Sequence, residues 1–257
     1  RTLTIVVRPL DFQEFADFRG FNFGRTDTGA REKLLDLFLQ TGGYPEYVRE
    51  QNPLYFADLV SNTIHKDIVL LFGIKNGLIL RQALSLTADR VGAQTSYSKL
   101  GRVLSLSKDT VRDYLYYLSS TFLIGELKKF ALSRNEQIYS PRKYYLTDNG
   151  LLFNLLGRFS AGAGAENAVF NKLSEGDWGF YYENQRDIDF VNKDGDGYEV
   201  KYELSTENWE KFLRNVRGLS TEKFKKITLL TQQPRQEIVV GKIKIQCEKL
   251  SEFLFWN

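Results

Sequence analysis

Arg186-Asp187-Ile188-Asp189-Phe190-Val191 and the later Glu199-Val200-Lys201 bring together residue types that can act on a phosphate ester. Side chains alternate faces along a strand. Asp187 and Asp189 are therefore expected on one face, with Ile188 and Phe190 on the other. Glu199 and Lys201 likewise share a face, opposite Tyr198, Val200 and Tyr202. The polar turn Lys193-Asp194-Gly195-Asp196-Gly197 predicts a hairpin that sets Asp189 near Glu199, with Lys201 just beyond. Two carboxylates and a lysine on one face can seat Mg2+ or Mn2+ and an activated water, the requirements of phosphodiester hydrolysis. Alternating charges also mark ordinary solvated sheet faces. Strands disfavour Asp and Glu, however, and here they sit among Ile, Phe, Val and Tyr.

The elements around this segment must position it. A helix over Ala165–Leu173 carries Glu166, and an aromatic strand follows at Trp178–Tyr182. After the two strands come a helix near Glu207–Leu219, strands at Lys226–Thr231 and Glu237–Val240, and a short aromatic helix over Leu250–Trp256. The spacing Asp-x9-Glu-x-Lys and this order (helix, three strands, helix, strand) resemble the PD-(D/E)XK nuclease superfamily. The resemblance maps Glu166, Asp189, Glu199 and Lys201 onto the four site positions. It implies that Asp189 and Glu199 ligate the metal, that Glu166 ligates it or a bridging water, and that Lys201 orients the attacking water and stabilises developing charge. The proline of the family's name is replaced by Ile188. Folds of this kind also serve as structural or binding modules, so a non-catalytic assembly or regulatory role is the alternative. The nuclease-like domain is expected over residues 148–257, entered through a glycine-rich hinge at Ser160–Ala165.

Residues 86–147 read as a winged helix-turn-helix, whose first helix begins near residue 79 with Leu80, Ala83 and Leu84. Ser107 suits the N-cap of a third helix, in which Val111, Leu115, Leu118 and Phe122 form one buried stripe and Lys108 and Arg112 face outward. Strands near 123–127 and 143–146 flank a loop bearing Lys128, Lys129, Arg134 and Arg142. Ser98–Thr147 holds nine Lys or Arg against four Asp or Glu, whereas the whole chain carries only +3. That concentration predicts a DNA-facing surface made by Lys108, Arg112, Lys128, Lys129, Arg134 and Arg142.

Residues 1–85 open with a strand-like Leu3–Val7, then Asp11 and Glu14 in a capping-box pattern, a helix over Glu32–Gln40, a Gly42-Gly43-Tyr44-Pro45 break and a long helical run over Leu54–Phe72. Pro9-Leu10-x-Phe12-x-Glu14-Phe15 and Gly42-Gly43-Tyr44-Pro45 are similar to the end of the ATPase core and the helical lid of a prokaryotic, largely archaeal, AAA+-type ATPase family. Its members carry a winged helix and a nuclease-like domain after that core. The expected fold class is thus α+β multidomain: a lid-like helical region, a winged helix-turn-helix and an α/β nuclease-like domain. The chain has no Gly-x4-Gly-Lys-Ser/Thr phosphate loop. ATP is therefore expected as a cofactor only where an N-terminal ATPase core accompanies it. A start at Arg1 and the lack of methionine agree with a segment of a longer polypeptide.

At 257 residues, with 42% hydrophobic and 26% charged residues, the composition is that of a soluble globular protein. No stretch is apolar enough to span a membrane, and a signal peptide is not expected. The single cysteine, Cys247, leaves no internal disulfide, so a cytoplasmic location is expected. The one histidine, His65, points away from histidine-based chemistry. The sequence leaves the oligomeric state open.

Overall fold

The computed structural model describes residues 6–256, apart from 25, 75, 132, 221, 222, 234 and 235. The strand expected at Leu3–Val7 falls mainly outside the described residues; Val6 and Val7 are exposed and belong to no strand.

In α1 (Phe12–Phe18) the Glu14 N–H donates to Asp11 and the Asp11 N–H to the Glu14 carboxylate, the expected capping box. α2 (Thr28–Thr41) ends at Gly42, whose φ is 72°, and α3 (Pro45–Glu50) opens on its proline. Gly43 has no room for a side chain, since a Cβ would lie 2.0 Å from the Leu10 carbonyl oxygen. The long helical run consists of α4 (Tyr55–Asn62), a π-helical stretch (Thr63–Val69) and α5 (Leu70–Phe72).

Next come α6 (Gly77–Ala88), β1 (Gln94–Thr95), α7 (Tyr97–Leu104), α8 (Lys108–Ser120), β2 (Ile124–Leu127), α9 (Arg134–Tyr139) and β3 (Arg142–Leu146). The strands form an antiparallel sheet in the order β1-β3-β2. Ser107 caps α8, and Val111, Leu115 and Leu118 are buried as expected. Phe122 is not part of that stripe. α8 stops at Ser120 and Phe122 sits at a φ of 58°, so the helical phase is lost and the ring faces outward.

α10 (Asn149–Leu156) and α11 (Ala161–Leu173) precede β4 (Trp178–Glu183), β5 (Arg186–Asn192), β6 (Asp196–Val200), α12 (Thr206–Arg217), β7 (Lys226–Thr231), β8 (Ile238–Val240), β9 (Ile243–Lys249) and α13 (Leu250–Trp256). The glycine-rich segment is helix, not hinge. Ser160 caps α11, and a Cβ on Gly164 would lie 3.0 Å from the Phe153 ring, so the glycine lets α10 and α11 approach. The second sheet runs β4-β5-β6-β7-β9-β8, antiparallel across β4, β5 and β6, then parallel from β6 to β7 to β9. α12 packs Phe212 and Val216 with Ile188, Val191, Ile227 and Ile245. A separate core gathers Phe12, Leu35 and Leu39 with Val169, Phe190 and Leu254. The architecture is α+β, with helices and mixed sheets.

Candidate functional site

β5 carries one residue more than β4 across the site. Tyr181 pairs with Ile188 but Gly179 pairs with Val191, so the register shifts beside Asp189. Such bulges re-aim side chains. Ile188 consequently joins the core under α12 while Phe190 joins the core around α11, instead of sharing a face as strict alternation predicts. β5 and β6 are laddered at Phe190–Tyr198 and Val191–Gly197. Past that point the Val200 N–H donates to Asp189 Oδ2 at 3.1 Å, a side chain in place of a ladder carbonyl.

Asp189 and Glu199 are both buried, and Lys201 Nζ donates to Glu199 Oε1 at 2.6 Å. Glu166, from α11, reaches the same place, where it accepts from the Tyr145 hydroxyl at 2.8 Å. Sequence reasoning did not find the residue between them. Lys143, on β3 of the small sheet, lies 3.1 Å from Asp189 Oδ1 and 3.6 Å from Glu166 Oε1 and is 5% exposed. Its neighbour Tyr144 faces the helical core instead, with Leu146. Strand alternation thus aims Lys143 and Tyr145 jointly at α11 and β5. The available signal was a lysine on the same strand face as Tyr145, opposite Tyr144 and Leu146. Gly92 closes one side: a Cβ there would lie 2.3 Å from Glu166 Oε1.

The charges of this cluster are interdependent. Burial pushes the Glu199 carboxyl up to about 8, with help from Asp189 and against Lys201. Burial and then Asp189 raise Glu166, against Lys143 and the Tyr145 hydrogen bond. Burial alone would raise Asp189 too, but Lys143 and Lys201 outweigh it and hold this carboxyl below its usual range. Both lysines lose by burial and gain more from the carboxylates, so both stay protonated. Glu199 and Lys201 compete within one pair. Lys201 keeps its proton the more firmly, because Asp189 and Glu166 also attract it. With Glu199 protonated the two ammoniums balance Asp189 and Glu166. Glu199 Oε2, buried without a hydrogen-bond partner, is free to carry that proton.

The donor set is one that magnesium or manganese favours, hard oxygens with one buried acceptor still unpaired. Lys143 nevertheless stands between Asp189 and Glu166, and among the described residues no three acidic, His or Cys side chains close into a metal cage. With Lys143 in place the residues do not fit a divalent ion.

The six basic positions fall into two groups. Lys108, Arg112, Lys128 and Arg134 are exposed, and Arg112 pairs with Asp109 and Asp113 at 3.2 and 3.7 Å. Lys129 binds Glu136 at 2.7 Å. Its strand extends β2 onto the edge of β4, with Phe130 N–H donating to Phe180 at 2.7 Å and Phe180 N–H to Lys128 at 3.0 Å. Arg142 turns inward and donates to the Gln137, Ile138 and Ser140 carbonyls and to Glu126. It holds the loop and the end of α9 together.

A family described as a domain of unknown function, DUF8612, matches residues 32–162. The chain belongs to the DUF8612 family. The DUF8612 match includes Lys143 and Tyr145 and stops short of Glu166, Asp189, Glu199 and Lys201. An uncharacterized protein of Haemophilus influenzae is 26% identical over 79% of this chain and 52% of its own length. An uncharacterized protein of Methanocaldococcus jannaschii is 25% identical over 83% of this chain and 53% of its own length. This DUF8612 chain therefore spans about half the length of the curated relatives it matches. No solved structure matches it.

Proposed function

We propose that the chain is a DNA-handling module of a larger ATPase, in which a winged-helix-like middle region binds duplex and a nuclease-like region carries a candidate metal-dependent phosphodiesterase site. The observation that carries this reading is the convergence of Glu166, Asp189, Glu199 and Lys201 at the point where β5 and β6 part. The order α11, β4–β6, α12, β7, with β6 and β7 parallel, supports it at the level of topology. For the middle region, support comes from the helices α6, α7 and α8 packed with a small antiparallel sheet, whose first strand lies between α6 and α7, and from exposed Lys108, Arg112, Lys128 and Arg134. ATP belongs to this reading only through the ATPase core of the parent.

A second reading, a non-catalytic assembly or regulatory region, is favoured by Lys143, which neutralises the carboxylates from within the chain. Two measurements test the main reading. Replacing Arg112, Lys128 and Lys129 together is expected to weaken duplex binding and to lower its salt slope by about one for every phosphate that is no longer neutralised. An unchanged slope removes DNA from this surface. Any Mn2+-dependent cleavage is expected to vanish in Lys201→Ala with the fold intact, and cleavage that survives comes from elsewhere.

A further inference from the structure

We infer that Lys143 is a built-in counter-ion that keeps the carboxylate site closed, so that the site takes a divalent cation only when Lys143 leaves. This rests on the reading of Glu166, Asp189 and Glu199 as a cation site. The ammonium contacts one oxygen each of Asp189 and Glu166, at 3.1 and 3.6 Å, and so fills the space that a cation held by these carboxylates would need. Two cations so close repel strongly where water is scarce, and Lys143 is 5% exposed. Ammonium and metal therefore exclude each other.

Lys143 is also not local to the site. It comes from β3, whose other face packs into the helical core with Tyr144 and Leu146. Two residues on, Tyr145 stacks on Phe170 with ring centroids 4.3 Å apart and donates to Glu166, which ties this face of β3 to α11. Withdrawing the ammonium requires β3 to shift against α11, or the lysine to swing out past Phe180, whose ring lies 5.6 Å from Nζ. A displacement of the middle region is thereby coupled to access at the carboxylates.

The test is Mn2+ binding by the full chain, followed by the decrease of the free-ion paramagnetic resonance signal. Wild type and Lys143→Arg are expected to take up no stoichiometric Mn2+, whereas Lys143→Gln binds one ion, and adding Asp189→Asn abolishes it. If Lys143→Gln alone does not fold, the charge-balanced pair Lys143→Gln with Glu166→Gln is expected to bind where wild type does not. Equal binding by wild type and Lys143→Gln overturns the closure and leaves the cation site standing. No binding by any folded Lys143 variant overturns both.

Discussion

At the scale of single residues, the cluster behaves as a small set of charges that must sum close to zero away from water. Replacing Lys143 with methionine leaves only Lys201 to balance the buried Asp189 and the partly buried Glu166, which is expected to cost about 3–5 kcal/mol in chemical denaturation; a change near zero would mean that the ammonium is not buried there. Glu199 makes a prediction with a defined sign. Its folded-state carboxyl is raised from 4.5 to about 8, so the folded chain binds the proton more tightly than the unfolded one. The stability that this group contributes is present at low pH and is lost as pH rises from about 4.5 to 8. Glu199→Gln removes that dependence. The variant is expected to gain stability relative to wild type across this window, and a relative decrease with rising pH would contradict the assignment. Asp189, Glu199 and Lys201 were legible because a strand, a polar turn and a second strand within thirteen residues encode their proximity. Lys143 was not, because it meets Asp189 across 46 positions and nothing local to β3 names its partner.

At the scale of elements, pattern located most helices and strands, and local departures explain the rest. The capping box of α1 and the Ser107 cap of α8 are encoded within four residues each. The bulge in β5 is not, since it depends on how β4 pairs across it. Ser160–Ala165 reads as a linker by composition, yet packing against Phe153 makes it helix. Asn167 joins three elements: it accepts from the Leu146 N–H and donates to Asn149, both at 2.8 Å. Asn167→Ala is expected to cost about 1–3 kcal/mol, because it leaves buried polar groups unpaired; urea denaturation with no change in midpoint would contradict this bridge. Arg142→Ala separates structure from binding. It is expected to lower the melting temperature by releasing the end of α9 while leaving the salt slope of the proposed duplex binding unchanged, and a reduced slope would return Arg142 to the proposed surface.

At the scale of the molecule, the small sheet and the large one meet through β3, Lys143 and the β2 extension along β4. Their relative position is therefore part of the site and not merely its support. No helix among the described residues is long and apolar enough to cross a membrane. Lacking a phosphate loop, the chain is expected to release no phosphate from ATP by itself, and measurable turnover would contradict the proposal that it works beside a separate ATPase core. Anomalous diffraction from Mn2+-soaked crystals of wild type and Lys143→Gln tests directly whether Lys143 closes the carboxylate site. A manganese peak within ligand distance of Asp189 and Glu199 is expected in the variant and none there in wild type. A peak at those carboxylates in wild type, or none near Asp189 in the variant, would contradict this closure.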